Sequence, residues 1–213
     1  MIDFLPLFPL KLVAFPGERL NLHIFEPRYK QLIRECSENQ ITFGIPAFID
    51  NKIVNIGTEI KLEKIENTYE NGELDVRTLG IGVFRIEKFY SQAPNKLYAG
   101  ADIERLEYKN SKSNLNLNEE IFSFLKELFT LLDIPNSKMP ESPKSFTSFQ
   151  IAHHLGMSVE QEYNLLRIES EERRQEYILE HLKKVVPVAK EMETLKERAK
   201  LNGHFKKIIP PSL

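Results

Sequence analysis

At 213 residues the chain has room for one large domain or two small ones, and needs no disulfide or metal to hold a fold together. Its 41% hydrophobic and 28% charged residues are the balance of an ordinary globular protein, which excludes the disordered and membrane-embedded classes. A net charge of −2 excludes the simplest nucleic-acid binder, one that is basic throughout. The lone Cys36 cannot close an internal disulfide, as suits a reducing compartment. The apolar start carries Asp3, lacks a basic leader and is broken by Pro6, Pro9 and Pro16. No apolar run approaches the ~18–20 residues that span a bilayer. The expectation is a soluble cytoplasmic protein without a membrane partner.

The first half reads as strands. Phe15-Pro16-Gly17 is a turn signal, proline fixing φ and glycine permitting φ > 0. Leu20, Leu22 and Ile24 then alternate with Asn21 and His23, the period of a half-buried strand. Pro27 suits the first position of a helix, and Tyr29, Leu32, Ile33 and Cys36 follow on one face. Cys36 is read there as a small buried hydrophobe, with a reactive thiol as the alternative. Ile41 to Ile49 is a further apolar stretch. Ile60 and Leu62 face one way before the pattern slips to Ile65, which predicts a bulge. Asn71-Gly72 predicts a hairpin, with a type I′ turn as the geometry both residues tolerate. Val83 through Tyr90 and Leu97 through Tyr108 supply two more strands.

The Asn-rich stretch 109–118 marks the boundary, giving a β domain at 1–110, a linker at 111–116 and a helical domain at 117–213. Ile121, Leu125, Leu128 and Leu132, with Phe122 and Phe129, form one apolar stripe. A proline-bearing loop precedes a second helix holding Phe149, Ala152 and Leu155 and ending at Gly156. Ser158 and Gln161 form a capping box for a third helix, and Ser170 with Glu171 and Glu172 opens a fourth. That fourth helix carries Pro187, where a kink or a break is expected.

Templates for chemistry fail. There is no phosphate-cradling glycine-rich loop before a helix and no nucleophile elbow. His153 and His154 are adjacent, so on a helix they point about 100° apart and cannot share a metal as an i, i+4 pair does. No catalytic residue, metal ligand or cofactor is assigned. Phe149 to Ser158 imitates a DNA-reading helix-turn-helix. Glu162 stands where that motif wants an apolar residue, and Glu160, Glu162 and Glu169 would repel phosphates, so DNA is set aside.

Two segments remain as candidate binding elements. From 183 to 213 there are eight Lys or Arg and three Glu, a net +5, including Lys196, Arg198, Lys200, Lys206 and Lys207. This is either a solvated helix face or a docking strip for an acidic partner or RNA. Val188, Met192, Leu195 and Ala199 give the same helix an apolar stripe, to be covered by its own chain or by a second copy. The other candidate is Phe15 with the run Phe25-Glu26-Pro27-Arg28-Tyr29. Glu26 and Arg28 flank Pro27 at a strand-to-helix junction, either as a structural tie or as an exposed recognition pair.

The run Leu5-Pro-Leu-Phe-Pro-Leu10, Phe15-Pro-Gly17 and His23-Ile-Phe-Glu-Pro-Arg-Tyr29 closely resembles the start of the Lon substrate-binding domain, especially its stand-alone bacterial form. The resemblance continues through Phe43-Gly44, Ile56 to Ile60, Asn71 to Val76, Gly82 to Ile86, Gln150 to Leu155 and Glu162 to Arg173, most of residues 4–184. Asn21 departs from it, standing where proline is usual. The resemblance implies an α+β fold: an N-terminal PUA-like β-barrel with one inserted helix, then a C-terminal helical bundle. It implies a non-catalytic module that binds proteins or peptides, alone or beside a protease or chaperone, without the ATPase and peptidase its relatives carry. RNA binding through the PUA-like fold and the basic tail is the alternative.

Overall fold

The computed structural model describes residues 3–108 and 113–205. The strands and helices in chain order are β1 (Asp3–Leu7), β2 (Arg19–Ile24), α1 (Pro27–Asn39), β3 (Phe43–Ile49), β4 (Lys52–Thr68), β5 (Leu74–Tyr90), β6 (Ala99–Leu106), α2 (Leu115–Leu131), α3 (Ser148–Ile151), α4 (Val159–Leu166) and α5 (Glu171–Phe205). The fold is α+β, as expected. It divides into two compact units, residues 1–111 with 147–174, and residues 112–146 with 175–213.

In the first unit one mixed sheet runs β2-β5-β4-β3-β1-β6, and β6 pairs back onto β5. That second pairing, from Val83↔Leu106 to Tyr90↔Gly100, nearly closes a five-stranded ring and leaves β2 as an edge strand attached to β5. Closure removes the sheet edges on the ring, but not the outer edge of β2. β1 runs parallel to β3 and antiparallel to β6. Its sequence gives little strand signal, because Pro6 interrupts it and Leu5 and Leu7 both bury in a small core with Phe84, Ala101 and Ile103. Gly44 is required there: a Cβ would come within 2.6 Å of the Phe84 ring.

The inserted helix follows its sequence pattern. Glu26 is the N-cap residue, Pro27 opens α1, and Tyr29, Leu32, Ile33 and Cys36 are its buried face. They join Ile24, Phe43, Ile45, Leu74 and Val76 in the main core. Burial pushes the Cys36 thiol up to about 12, so it is an inert packing group.

The predicted bulge lies between Leu62 and Lys64. The hairpin at Asn71-Gly72 is present, but its turn is not type I′. Gly72 N–H donates to the Tyr69 carbonyl at 2.8 Å and Tyr69 N–H to Glu73 at 2.9 Å. Within this turn only Gly72 has positive φ, at 74°. This is a four-residue turn ended by a glycine bulge, which brings Tyr69 and Glu73 to the hairpin mouth.

α3 and α4 belong to this unit. Ser158 and Gln161 form the predicted capping box at the start of α4. Arg174, in the first turn of α5, bonds Glu171 at 2.9 Å and the Ile168 carbonyl at 2.7 Å, and lies 4.3 Å over the Phe149 ring. Glu171 in turn accepts from the Ser148 N–H at 2.8 Å, so a buried charge pair is fully hydrogen-bonded.

The second unit is helical. Ile121, Leu125, Leu128 and Phe129 are the buried face of α2, while Leu132 caps its end and is exposed. Asn118 is also buried, accepting from Gln175 and donating to the Pro143 carbonyl at 2.8 Å. Lys183 and Lys190 on α5 pair with Glu120 and Glu127 on α2. α5 continues as helix through Pro187. Among the described residues no helix is long and apolar enough to cross a membrane.

Candidate functional site

The end of β2 presents aromatic, acidic and basic side chains together on an exposed surface of the strand unit. Alternation puts Leu22 and Ile24 inward, so His23 faces out, and the chain leaves the strand through Phe25 before Pro27 starts α1. Nothing on α1 covers Phe25, which is 58% exposed. Its ring stacks near His23, with centroids 6.2 Å apart. Tyr69, delivered by the hairpin and 45% exposed, meets His23 edge-on at 5.9 Å.

Carboxylates underlie these three rings. His23 is opposite Asp75 in the β2–β5 register, with Nδ1 at 2.7 Å from Asp75 and Nε2 at 3.1 Å from Glu73. Asp75 also accepts from the Tyr69 hydroxyl at 2.6 Å and from Asn67 at 3.1 Å. The Asp75 bond above all raises the His23 pKa, and Tyr69, His23 and Asn67 together hold Asp75 down to about 2. The patch is therefore an aromatic surface on a fixed polar base: an imidazole between two carboxylates, flanked by two rings with open faces. It can bind apolar side chains and extended chain segments.

Phe25, Glu26 and Arg28 come together here. The Glu26 carbonyl accepts from the Tyr29 and Lys30 N–H groups, while its side chain makes no capping bond and instead accepts from Arg28 Nε at 2.8 Å. Arg28 also lies 4.5 Å over the Tyr29 ring, which is buried and stacked on Phe8 at 3.8 Å. Tyr29 thus carries the junction from below and presents nothing to solvent. Phe15 stands at the opposite end of β2, wholly buried between Phe149 at 5.1 Å and His153 at 5.0 Å. Its part is to seat α3 against the strands. His23, Tyr69 and Asp75 escaped the sequence reading. Outward alternation marked His23, but only the hairpin's register brings Tyr69 and Asp75 to it.

His153 and Glu162 resolve the helix-turn-helix imitation. Glu162 is buried because it accepts from His153 Nδ1 at 2.8 Å, and Glu18 takes the other ring nitrogen at 3.1 Å. These bonds raise His153 to about 10, making it a cationic tie joining α4, the turn before β2 and the 3-10 turn Ala152–His154 that follows α3. In the basic segment Lys196 pairs with Glu193 at 3.1 Å. Arg198 is exposed on α5, Lys200 lies on the same helix, and Lys206 and Lys207 fall outside the described residues. Val188 and Met192 line an apolar groove of about 420 Å³ with Leu128, Leu131 and Leu132.

A strand ring with an inserted helix, an appended edge strand and following helices defines the fold class. Residues 4–184 match the model of the ATP-dependent protease La (LON) substrate-binding domain, and the chain belongs to that family. It is similar to the crystal structure of a Lon N-terminal domain protein from Xanthomonas campestris, at 26% identity and a TM-score of 0.65, covering 84% of this chain and 98% of that one. The N-terminal domain of the Mycobacterium avium complex Lon protease shares the fold, at 11% identity and a TM-score of 0.58, over 85% of this chain and 99% of that one. No protease or ATPase domain is detected in the 213 residues.

Proposed function

We propose that the chain is a non-catalytic recognition module that holds protein or peptide segments, for itself or for a protease or chaperone partner. Family membership supports protein substrates as the class of ligand. The observation that carries the reading to particular residues is the exposed ring cluster of Phe25, His23 and Tyr69. Single exposed aromatics are ordinary, but adjacent open ring faces on a rigid strand end are a surface for apolar side chains. The RNA alternative rests on Lys196, Arg198, Lys200, Lys206 and Lys207. Of these Lys196 already has Glu193 as partner, and the rings at β2 lie over carboxylates that repel phosphate.

The test is binding of a permanently unfolded client, reduced and carboxymethylated lactalbumin, followed by fluorescence anisotropy. Saturable binding with the client left intact is expected, weakened about tenfold or more by Phe25→Ala. Client cleavage by the purified chain, or undiminished binding by Phe25→Ala, would count against the reading.

A further inference from the structure

One side of the β2 backbone has no strand partner among the described residues. In the β2–β5 ladder Glu18 accepts from the Gly80 N–H at 2.8 Å. With the unbroken register Arg19↔Leu79 to Ile24↔Leu74, the residues that bond β5 are then Leu20, Leu22 and Ile24. The hairpin gives the same parity independently: Tyr69 and Glu73 are a bonded pair, so Leu74 turns its own N–H and C=O toward β2. Arg19, Asn21 and His23 therefore direct their N–H and C=O groups away from the sheet. Those groups have no hydrogen-bond partner among the described residues, and all three residues are exposed.

This edge has few of the devices that blunt an edge strand. From Arg19 to Ile24 there is no proline and no bulge, and its charged or ionisable side chains, Arg19 and His23, turn onto carboxylates of the same sheet, whereas the opposite flank of β4 carries two bulges and Lys61 and Lys64. Donor–acceptor pairs that recur roughly every 6.8 Å along a straight strand fit the backbone of another strand better than any other ligand. The edge also runs directly into Phe25, with the His23 and Tyr69 rings on its outer face.

We infer that the free edge of β2 is a strand-addition site. An extended peptide pairs its backbone with Arg19, Asn21 and His23 and lays an apolar side chain on Phe25. This rests on the recognition reading and specifies how the ligand is held: affinity comes from the main chain, so the site accepts many sequences, and the aromatic end selects those with an apolar residue in register.

A short acetylated peptide alternating valine and threonine about a central phenylalanine is the probe, together with two derivatives N-methylated on one or the other alternate set of residues. The parent binds, one derivative loses binding and the other keeps it, since only alternate N–H groups of an added strand face the sheet. On the protein, Asn21→Pro removes an outward N–H without touching the β5 ladder, so at least tenfold weaker binding is expected at an unchanged melting temperature. Asn21→Ala keeps the N–H and keeps the binding. Equal behaviour of the two methylated peptides, or wild-type affinity in Asn21→Pro, overturns the inference. So does a wild-type dimer in sedimentation that Asn21→Pro abolishes, because the edge would then belong to a second copy. Should the unfolded client bind while the peptide does not, the strand-addition mode fails and the recognition reading stands. Failure of both ligands removes both.

Discussion

His23 lies between Asp75 and Glu73 on the open face of β2 and β5, whereas His153 lies between Glu162 and Glu18 beside the Phe15 ring. Each ring is gripped by a pair of carboxylates, and both have raised pKa values. They differ in what surrounds them and in what they join. The carboxylates of His23 come from neighbouring positions at one end of β5, and half of its side chain is exposed. Those of His153 come from residues 18 and 162, so the imidazolium holds two distant parts of the unit together under aromatic cover. The same chemistry serves structure where it spans separate elements and is shielded. It is available for recognition where it closes on one sheet and faces water. The Glu171–Arg174 pair is the buried extreme, with both side chains less than a tenth exposed.

This ordering predicts how each site responds to substitution. Arg174→Ala has the largest effect, a loss of about 3–5 kcal/mol in denaturant unfolding, because Glu171 is left buried without its cation. His153→Ala costs about 1–2 kcal/mol at pH 7, the range of a charge-assisted bond discounted for partial exposure. Its pH dependence gives the sharper measurement. The folded pKa, about 10, lies above the ordinary 6.5, so the stabilisation is complete below pH 6.5 and disappears as pH rises toward 10. The gap between wild type and His153→Ala should therefore close between pH 7 and 10. A gap that widened would contradict the assignment. His23→Ala is expected to leave the unfolding midpoint unchanged and to reduce client binding, which separates the two histidines functionally.

Local signals sufficed where the structure is made locally. Pro27 and the Tyr29, Leu32, Ile33 and Cys36 spacing defined α1, and Ser158 with Gln161 marked the start of α4. The slip at Ile65 announced the bulge that β4 shows. β1 was not legible, because its inward residues alternate around prolines and its strand character comes only from pairing with β3 and β6. The turn at Asn71-Gly72 was legible as a hairpin but not in type, since the bulge at Gly72 is set by the flanking register. Phe25, Glu26 and Arg28 could be found from an unusual run of residues. Alternation turned His23 outward, but its partners Tyr69 and Asp75 could not be found, because the contacts cross from β2 to β5 and to the hairpin mouth. Phe15 and Tyr29 are buried: helical spacing already put Tyr29 on the inner face of α1, whereas the residue types around Phe15 do not distinguish burial from exposure.

We propose that the exposed end of β2, rather than the apolar groove of the helical unit, is where a client is held. Photocrosslinking tests it most directly, with benzoylphenylalanine replacing either Phe25 or Val188 in the full chain and carboxymethylated lactalbumin as the client. Crosslinks from position 25 and none from position 188 are predicted. Crosslinks from position 188 alone would place recognition in the helical unit and contradict the account.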